Sequence, residues 1–408
     1  MGERKVVTGQ LARRYHAAGR AQKAVMLTEL CALTGWHRDH ARTALRQAYR
    51  PGAVVRQRKP RDPYYGEAEL AALRKVWAIL DAPAGKRLAP FLPEIVDRLI
   101  ACGELDLPDE VRYRLVRMSA ATIDRRLAAE RARWKTKGRR LTKPGSLLKS
   151  QIPIRTWREW DDARPGFVEV DLVGHEGGNP CGEFACTLTV TDIATGWTVV
   201  RAVRNKARVH VVAAIREIAA TFPFPVLGID SDNGGEFINA HLFAYCAEQE
   251  ITFTRSRPGN KNDGAHVEQK NWSVVRQAVG YHRYSGDLQV DLLNGIYALL
   301  NEQINFFTPQ QKLISAVRDG PKLIRHHDTA QTPFQRACAD PTVDIYDKSR
   351  LHGHYLTLNP AAIRREIHAL TDALATEVTR RYFPVKPYRG LSVTGISHEA
   401  TKPPTRAS

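Results

Sequence analysis

FVEVDLVGHEGGNPCGEFACTLTVTDIATGWTVVRAV, residues 167–203, holds three runs rich in β-branched residues, separated by residues typical of turns. Runs of this kind predict three successive strands. Downstream, helical and strand patterns alternate: an amphipathic helix over about 206–221, the strand PVLGID (225–230), the helix FINAHLFAYCAEQE (237–250), the strand ITFTRS (251–256) and a helix from about 265. Three strands followed by this alternation predict an α/β core with a mixed sheet flanked by helices.

The segments on either side of this core are predicted to be mainly helical. Residues 8–50 have a helical pattern with a break at Thr34–Gly35, and a second helical block covers 66–133. An apolar helix over 289–305 precedes a small, mostly helical unit over about 333–383 and a tail expected to be disordered. We therefore expect a multidomain α and α/β protein with four parts: a helix-turn-helix region (1–60), a second helical DNA-binding module with a basic linker (61–150), the α/β core (151–310) and a helical C-terminal region with the tail (311–408).

The 408-residue chain has a formal net charge of +18, and the excess is confined to its first two fifths. Residues 1–160 hold 34 Lys and Arg against 16 Asp and Glu, whereas residues 161–408 hold 27 of each. Nucleic acid is the natural partner, because cations that neutralise phosphates release counterions. A merely solvated basic surface is the alternative. Neither a membrane span nor a signal peptide is visible, and the six cysteines are scattered, so we expect a reduced cytoplasmic, nucleoid-associated protein without a membrane partner.

The segment LTELCALTGWHRDHARTALRQ (27–47) has the pattern of a helix-turn-helix, in which the second helix enters the major groove of DNA. Any helical hairpin with a glycine turn would share this pattern. The candidates for DNA contact on the second helix are Arg38, His40, Arg42 and Arg46.

Three further basic segments are candidates for contact with the DNA backbone. RQRKPRDP (56–63), where two prolines prevent a helix, is either a basic arm or a linker, and WKTKGRRLTKPGSLLKS (134–150) has the composition of a linker. A helix with Ser119 as its predicted N-cap presents arginines either to DNA or to solvent. The candidates are Arg58, Lys59, Arg61, Arg125, Arg126, Lys137, Arg139 and Arg140.

Three carboxylates lie where chain geometry favours a metal site. Asp171 lies inside an apolar strand, where a charge is costly unless it is paired or bound to metal. Asp232 follows a predicted strand in SDNGGEF (231–237), and Glu268 lies in the first turn of a helix. Alone, each has an ordinary explanation: an ion pair, a turn or the helix dipole. Together they suit hard divalent cations, which prefer several oxygen ligands.

The three acidic segments resemble a known family. VEVDLVGH (168–175), IDSDNGGEF (229–237) and NDGAHVEQKNW (262–272) look like the acidic motifs of the retroviral-integrase-like DDE transposases of bacterial insertion sequences. Between Asp232 and Glu268 lie 35 residues, the interval by which the integrase class is named. The resemblance covers roughly 165–310, and AQTPFQRAC (330–338) looks like a segment that these transposases often carry. It implies a ribonuclease-H-like fold for the core.

The resemblance also implies roles for the acids. Asp171 would bridge two metal ions, Asp232 would complete one coordination sphere and Glu268 the other. Asp230 competes for the role of Asp232, but both the motif and the 35-residue interval select Asp232. Asn233 and Gly234 fit the motif as turn formers.

The basic residues near the glutamate depart from the family pattern. Integrases have DNA-contacting lysines one and two helical turns beyond it, where this chain has Trp272 and Val275. The candidates to replace them are Lys261, Asn262, Lys270 and Arg276. His175 and His266 flank the acids, either as substrate contacts or, as we prefer, as structural residues.

The function implied is that of a polynucleotidyl transferase with two Mg²⁺ (or Mn²⁺) ions per active site. It would cleave the ends of a DNA element to expose 3′-OH groups and join them to target DNA. Its partners would be double-stranded DNA, both the terminal inverted repeats and the target, and further copies of the chain when bound to DNA. A ribonuclease-H-like nuclease without strand transfer, a non-catalytic DNA-binding regulator and an RNA-holding structural protein are the alternatives.

Deletion of residues 1–60 tests the division of labour that the charge asymmetry predicts. We expect the truncated chain to lose end-specific binding far more than nonspecific catalysis, because the sequence-reading helices would be gone. Footprinting on DNA that carries the repeats of its own locus measures this. Equal footprints from the full-length and truncated chains would contradict the prediction.

Overall fold

A computed structural model describes residues 2–49, 64–133, 164–231, 234–237, 239–255, 265–319 and 322–382. The chain divides into two compact units, Met1–Tyr64 and Tyr65–Ser408. Within the described residues no helix is both long enough and apolar enough to span a bilayer.

The described residues of the first unit form three helices: α1 (Gly2–Ala17), α2 (Arg20–Thr34) and α3 (Arg38–Tyr49). Gly35 ends α2 with a φ of 69°, a left-handed conformation that glycine adopts without strain, and its N–H donates to the Cys31 carbonyl (2.8 Å). The predicted break at Thr34–Gly35 is therefore confirmed, whereas the break between α1 and α2 was not predicted. Leu27, Leu30 and Leu45 are among the buried residues that hold the three helices together.

The second unit begins with five helices: α4 (Glu67–Ile79), α5 (Gly85–Ala101), α6 (Asp109–Val116), α7 (Ala120–Arg126) and α8 (Ala128–Arg133). Ser119 is the N-cap of α7, as predicted, because its hydroxyl accepts a hydrogen bond from the Thr122 N–H (3.4 Å). The apolar side chains of this region belong to the same continuous core as the sheet. Arg98 of α5 donates to the Leu358 carbonyl (3.0 Å) near the C-terminus, so distant parts of the chain are joined here.

The central sheet has five strands: β1 (Phe167–Gly174), β2 (Cys186–Asp192), β3 (Thr198–Val203), β4 (Gly228–Ser231) and β5 (Thr252–Arg255). Their order is β3-β2-β1-β4-β5. The first three are antiparallel, whereas β4 is parallel to both β1 and β5. The intervening helices are α9 (Arg208–Thr221) and α10 (Ala240–Glu248). The mixed sheet of a ribonuclease-H-like core is thus confirmed.

The remaining described residues of the unit are mainly helical and also form one hairpin. They comprise α11 (Ala265–Lys270), a π-helix (Asn271–Arg276), α12 (Gln277–Val279), α13 (Asp287–Phe307), the strands β6 (Leu313–Asp319) and β7 (Lys322–His327), and the helices α14 (Pro333–Ala339), α15 (Ile345–Tyr355) and α16 (Pro360–Tyr382). The helical C-terminal region was predicted, but the hairpin was not. Its signal was Asp-Gly between two apolar runs, which favours a tight turn. The predicted disordered tail lies outside the described residues.

Three asparagines of α13 cover the exposed edge of the sheet. The amide of Asn305 accepts from the Thr198 N–H (2.8 Å) and donates to the Thr198 carbonyl (2.8 Å). Asn301 and Asn294 bond Val200 and Ala202 of β3 in the same two-way manner. An edge strand otherwise leaves a row of unpaired backbone groups, so these amides take the place of a sixth strand.

Asn305→Ala tests this edge. The substitution leaves a buried N–H and a buried carbonyl of Thr198 without partners, and we expect the free energy of unfolding to fall by about 2–4 kcal/mol. Urea unfolding followed by tryptophan fluorescence measures the change. Asp291→Ala at an exposed position of α13 is the control, with an expected change within about 0.5 kcal/mol. Equal unfolding midpoints for the two variants would contradict this account.

Candidate active site

Asp171 lies on β1, the middle strand of the sheet, and its side chain is half-buried. Alternate residues of a strand point to the same face, so Glu169 shares a face with Asp171. Val168 and Val170 point to the opposite face and are buried in the apolar core. The sequence VEVD therefore divides a strand into one apolar face and one acidic face.

The helix formed by α11 and the π-helix, Ala265–Arg276, lies against the acidic face of β1; we call it the docking helix. Its Val267 N–H donates to Glu169 Oε2 (3.2 Å), and Asn271 Nδ2 donates to Asp171 Oδ2. Asp171 Oδ1 accepts from the N–H of Leu172 (2.8 Å). Two hydrogen bonds from one helix thus reach two neighbouring carboxyl groups of one strand.

The carbonyl oxygen of the Asn271 side chain has no hydrogen-bond partner among the described residues, although it is buried. Buried polar atoms are nearly always paired in folded proteins. An oxygen with free lone pairs beside a carboxylate is the kind of group that a hard cation binds.

Asp230, the competitor for the second acidic position, is buried within the sheet. It is 1% exposed, and its Oδ1 accepts a hydrogen bond from Thr254 Oγ1 (2.6 Å) of β5. Its Cα pairs with that of Glu169 across the parallel strands. Such an environment favours a structural role for Asp230.

Several predicted site residues are not described. Asp232 lies outside the described residues, as do Asn233, Lys261 and Asn262, and only the backbone of His266 and Glu268 is described, as part of α11. In the part of the chain that the structure describes, no three His, Cys, Asp or Glu side chains are grouped so that they could hold a metal ion. The convergence of Asp171, Asp232 and Glu268 therefore stays a prediction.

His175 is fully buried. Its Nε2 lies 2.7 Å from Thr187 Oγ1, which in turn lies 2.7 Å from the Tyr297 hydroxyl. Burial lowers the pKa of His175 to about 3, and the charge of Arg276 acts in the same direction. A neutral imidazole in the core cannot touch a substrate, so the preferred structural role is supported.

The guanidinium of Arg276 is bonded within the protein. It donates to the Gly174 carbonyl (2.7 Å) at the end of β1 and to the Gly280 carbonyl (3.3 Å), and it lies over the Tyr281 ring. Arg276 thus ties the π-helix to β1, and these bonds favour a structural role for it over the predicted contact with DNA. Val275 is fully buried, whereas Trp272 is 53% exposed.

Lys270 is half-buried beside Arg87. Burial lowers the pKa of Lys270 to about 7, and the charge of Arg87 lowers it further. It lies immediately before Asn271, on the same docking helix.

The basic candidates of the flanking helices are mostly exposed. On α3, Arg38 donates to Thr28 Oγ1 (3.0 Å), and Arg42 forms an ion pair with Asp39 (2.9 Å). His40 lies edge-on to Trp36, which the sequence analysis did not single out. Arg46, Arg125 and Arg126 are exposed. The remaining candidates, Arg58, Lys59, Arg61, Lys137, Arg139 and Arg140, lie outside the described residues.

Sequence reasoning missed Glu169 and Asn271. The signal for Glu169 was the alternation VEVD, which puts two carboxyls on one face. The signal for Asn271 was its position three residues after Glu268, since residues three apart lie on one side of a helix.

Known proteins resemble this chain in sequence. Residues 161–261 match the profile of the integrase core domain. A protein of Sinorhizobium fredii (strain NBRC 101917 / NGR234), named uncharacterized protein y4rM, is 37% identical over 336 residues, which are 82% of this chain and 95% of that protein.

Two solved structures resemble this chain at low identity. The catalytic core domain of BIV integrase is 17% identical, with a TM-score of 0.29, over 47% of this chain and 98% of that one. The catalytic core domain of HTLV-2 integrase, solved with magnesium in a dimeric form, is 14% identical, with a TM-score of 0.28, over 36% of this chain and 90% of that one. With TM-scores of that size, neither structure bears on the chemistry of this chain.

Proposed function

Because this chain belongs to the DDE transposases of bacterial insertion sequences, whose catalytic core resembles that of retroviral integrases, we propose that it cleaves the ends of a DNA element and joins them to target DNA. Asp171, Asp232 and Glu268 are the proposed catalytic residues. The observation that carries this proposal is the contact of the docking helix with the two carboxyl groups of β1.

The docking helix supports a position for Glu268 beside Asp171. Glu268 follows Val267, which bonds Glu169, and precedes by three residues Asn271, which bonds Asp171. Residues three apart in a helix lie on the same side. The side of the helix that carries position 268 is therefore the side that meets the acidic face of β1.

The register of the parallel strands supports a position for Asp232 near the same place. The pairing of β1 with β4 ends at Val170 and Ser231. In the sequence, Asp171 follows Val170 and Asp232 follows Ser231. Each acid therefore lies one Cα–Cα step of about 3.8 Å beyond the last residue paired between β1 and β4. We propose that the three carboxylates, which come from separate segments, meet at the end of β4.

The groups around Asp171 suit Mg²⁺. They include carboxylate oxygens and the unpartnered oxygen of Asn271, all of them hard donors. Asp171 would be shared between two Mg²⁺ (or Mn²⁺) ions, with Asp232 on one and Glu268 on the other. When bound, such ions lower the pKa of an attacking water or hydroxyl and stabilise the charge on the leaving oxygen.

Residues outside the three catalytic acids would position the DNA and orient the acids. Asn271 would orient Asp171, in the way that groups around a metal site commonly orient its ligands. The exposed arginines of the flanking helices would bind phosphates, and α3 would read the terminal repeats. A homo-oligomer on DNA would hold two element ends together.

Substitution of the three acids tests the catalytic assignment. We expect Asp171→Asn, Asp232→Asn and Glu268→Gln each to abolish cleavage and joining while DNA binding is retained, because an amide cannot replace a carboxylate as a ligand to two cations. The assay incubates labelled DNA carrying the repeats of its own locus with Mg²⁺. The control is Asp291→Asn, at an exposed position of α13, which we expect to behave as the wild type.

Wild-type joining by any two of the three variants would overturn the assignment. Pre-cleaved ends separate the proposed transposase from a nuclease that only cuts. A transposase joins such ends to a target, whereas a nuclease leaves them unjoined.

Asn271→Ala tests the positioning role of the amide. We expect the Mg²⁺ concentration for half-maximal cleavage to rise by about 10–100-fold, because Asp171 loses the group that orients it. Excess Mg²⁺ should restore part of the rate, and DNA binding should not change. The matched control is Asn179→Ala in an exposed loop. A reduced rate with an unchanged Mg²⁺ requirement would show that Asn271 does not act through the metal site.

A further inference from the structure

A cavity of about 810 Å³ opens beside the docking helix. Its walls come from four parts of the second unit that are far apart in sequence: the segment between α4 and α5 with the start of α5, the docking helix with α12, α13 with the segment after it, and α16. The residues that matter for its chemistry are Arg87 and Trp272.

Polar atoms without partners are concentrated in this wall. Gln303 is only 2% exposed, and its amide Nε2 donates to the Ile79 carbonyl (3.2 Å), which leaves its Oε1 buried without a partner among the described residues. Gln310 Nε2 and Arg364 Nε are also buried and unpartnered there. These three atoms have no surface in the cavity, so they lie behind its lining and are not available to a ligand there.

Two arginines and one aromatic ring lie in the cavity wall. Arg87 is exposed, and Arg364 forms an ion pair with Asp81. The indole of Trp272 is 53% exposed, which is unusual for so large an apolar side chain. Arginine binds phosphate, and an open indole face stacks on any base.

The place of the cavity connects it with the acids. Trp272 directly follows Asn271, whose amide donates to Asp171. A volume of about 810 Å³ lies in the range of pockets for single small ligands, so it suits one nucleotide and not a duplex. Enzymes that act on DNA commonly hold an unpaired base in a pocket of this kind.

We propose that this cavity holds one unpaired nucleotide of the DNA strand bound at the acids. Its base stacks on Trp272. Its phosphate lies against Arg87. The choice of a DNA strand as the source of the nucleotide rests on the proposed function, whereas the binding of a nucleotide rests on the cavity alone.

Binding of short duplexes to the full-length chain in EDTA tests the proposal without catalysis. The probes are a blunt duplex, the same duplex with a three-nucleotide single-stranded tail on either strand, and the tailed duplex with abasic tail positions. We expect one tailed duplex to bind about tenfold more tightly than the blunt one, because one stacked base is gained. The abasic tail should lose most of this preference.

Trp272→Ala should abolish the preference for the tailed duplex and leave the affinity for blunt DNA unchanged. Trp272→Phe should keep most of the preference for the tailed duplex. Phe243→Ala removes a comparably exposed ring (51%) on α10 and is the matched control, with the preference retained. Arg87→Gln should weaken binding of the tailed duplex. It should also reduce the slope of binding affinity against salt concentration by the amount expected for about one lost phosphate contact.

Equal affinity of the wild type for tailed and blunt duplexes, or an unchanged preference in Trp272→Ala, would overturn the proposal. Competition by free dAMP at micromolar concentration would assign the cavity to a free nucleotide and overturn the strand as its source. The tail preference should persist in Asp171→Asn, since it needs no metal. Retained catalysis by Asp171→Asn with the tail preference intact would therefore count against the catalytic assignment alone.

Discussion

The hydrogen bonds between the docking helix and the acidic face of β1 are the constraint on which the candidate site depends. A carboxyl group in a largely buried sheet needs hydrogen-bond donors. Val267 donates to Glu169, and Asn271 donates to Asp171. These bonds fix both the height and the rotation of the helix on the sheet. These hydrogen bonds therefore determine the position of Glu268 on the helix relative to β1 and the part of the cavity wall that Trp272 forms.

Side-chain amides satisfy backbone and carboxyl groups in several parts of this fold. Asn305, Asn301 and Asn294 of α13 form hydrogen bonds with the backbone of the edge strand. Asn271 donates a hydrogen bond to the carboxylate of Asp171. An amide both donates and accepts, so it can serve an N–H and a carbonyl of the same residue. A sheet held in this way gives the acids of β1 a rigid support, which catalytic geometry requires.

Burial distinguishes functional from structural groups that look alike in the sequence. Asp230 lies two residues before Asp232, yet its bond to Thr254 within the sheet gives it a partner in the core. His175 and Arg276 lie near the acids, but both are bonded internally, and the low pKa of His175 keeps it neutral. Exposed Trp272 is the opposite case, an apolar residue with no place in the core.

The sequence alone determined the α/β core, the helical flanks and the three acidic motifs, because hydrophobic periodicity and motif spacing are local properties of a chain. It could not reveal the partners of Asp171, the asparagine edge or the cavity. Those depend on residues about 100 or more positions apart, such as Asp171 with Asn271 and Ile79 with Gln303. Only folding brings such groups within hydrogen-bonding distance, so only the tertiary structure decided them.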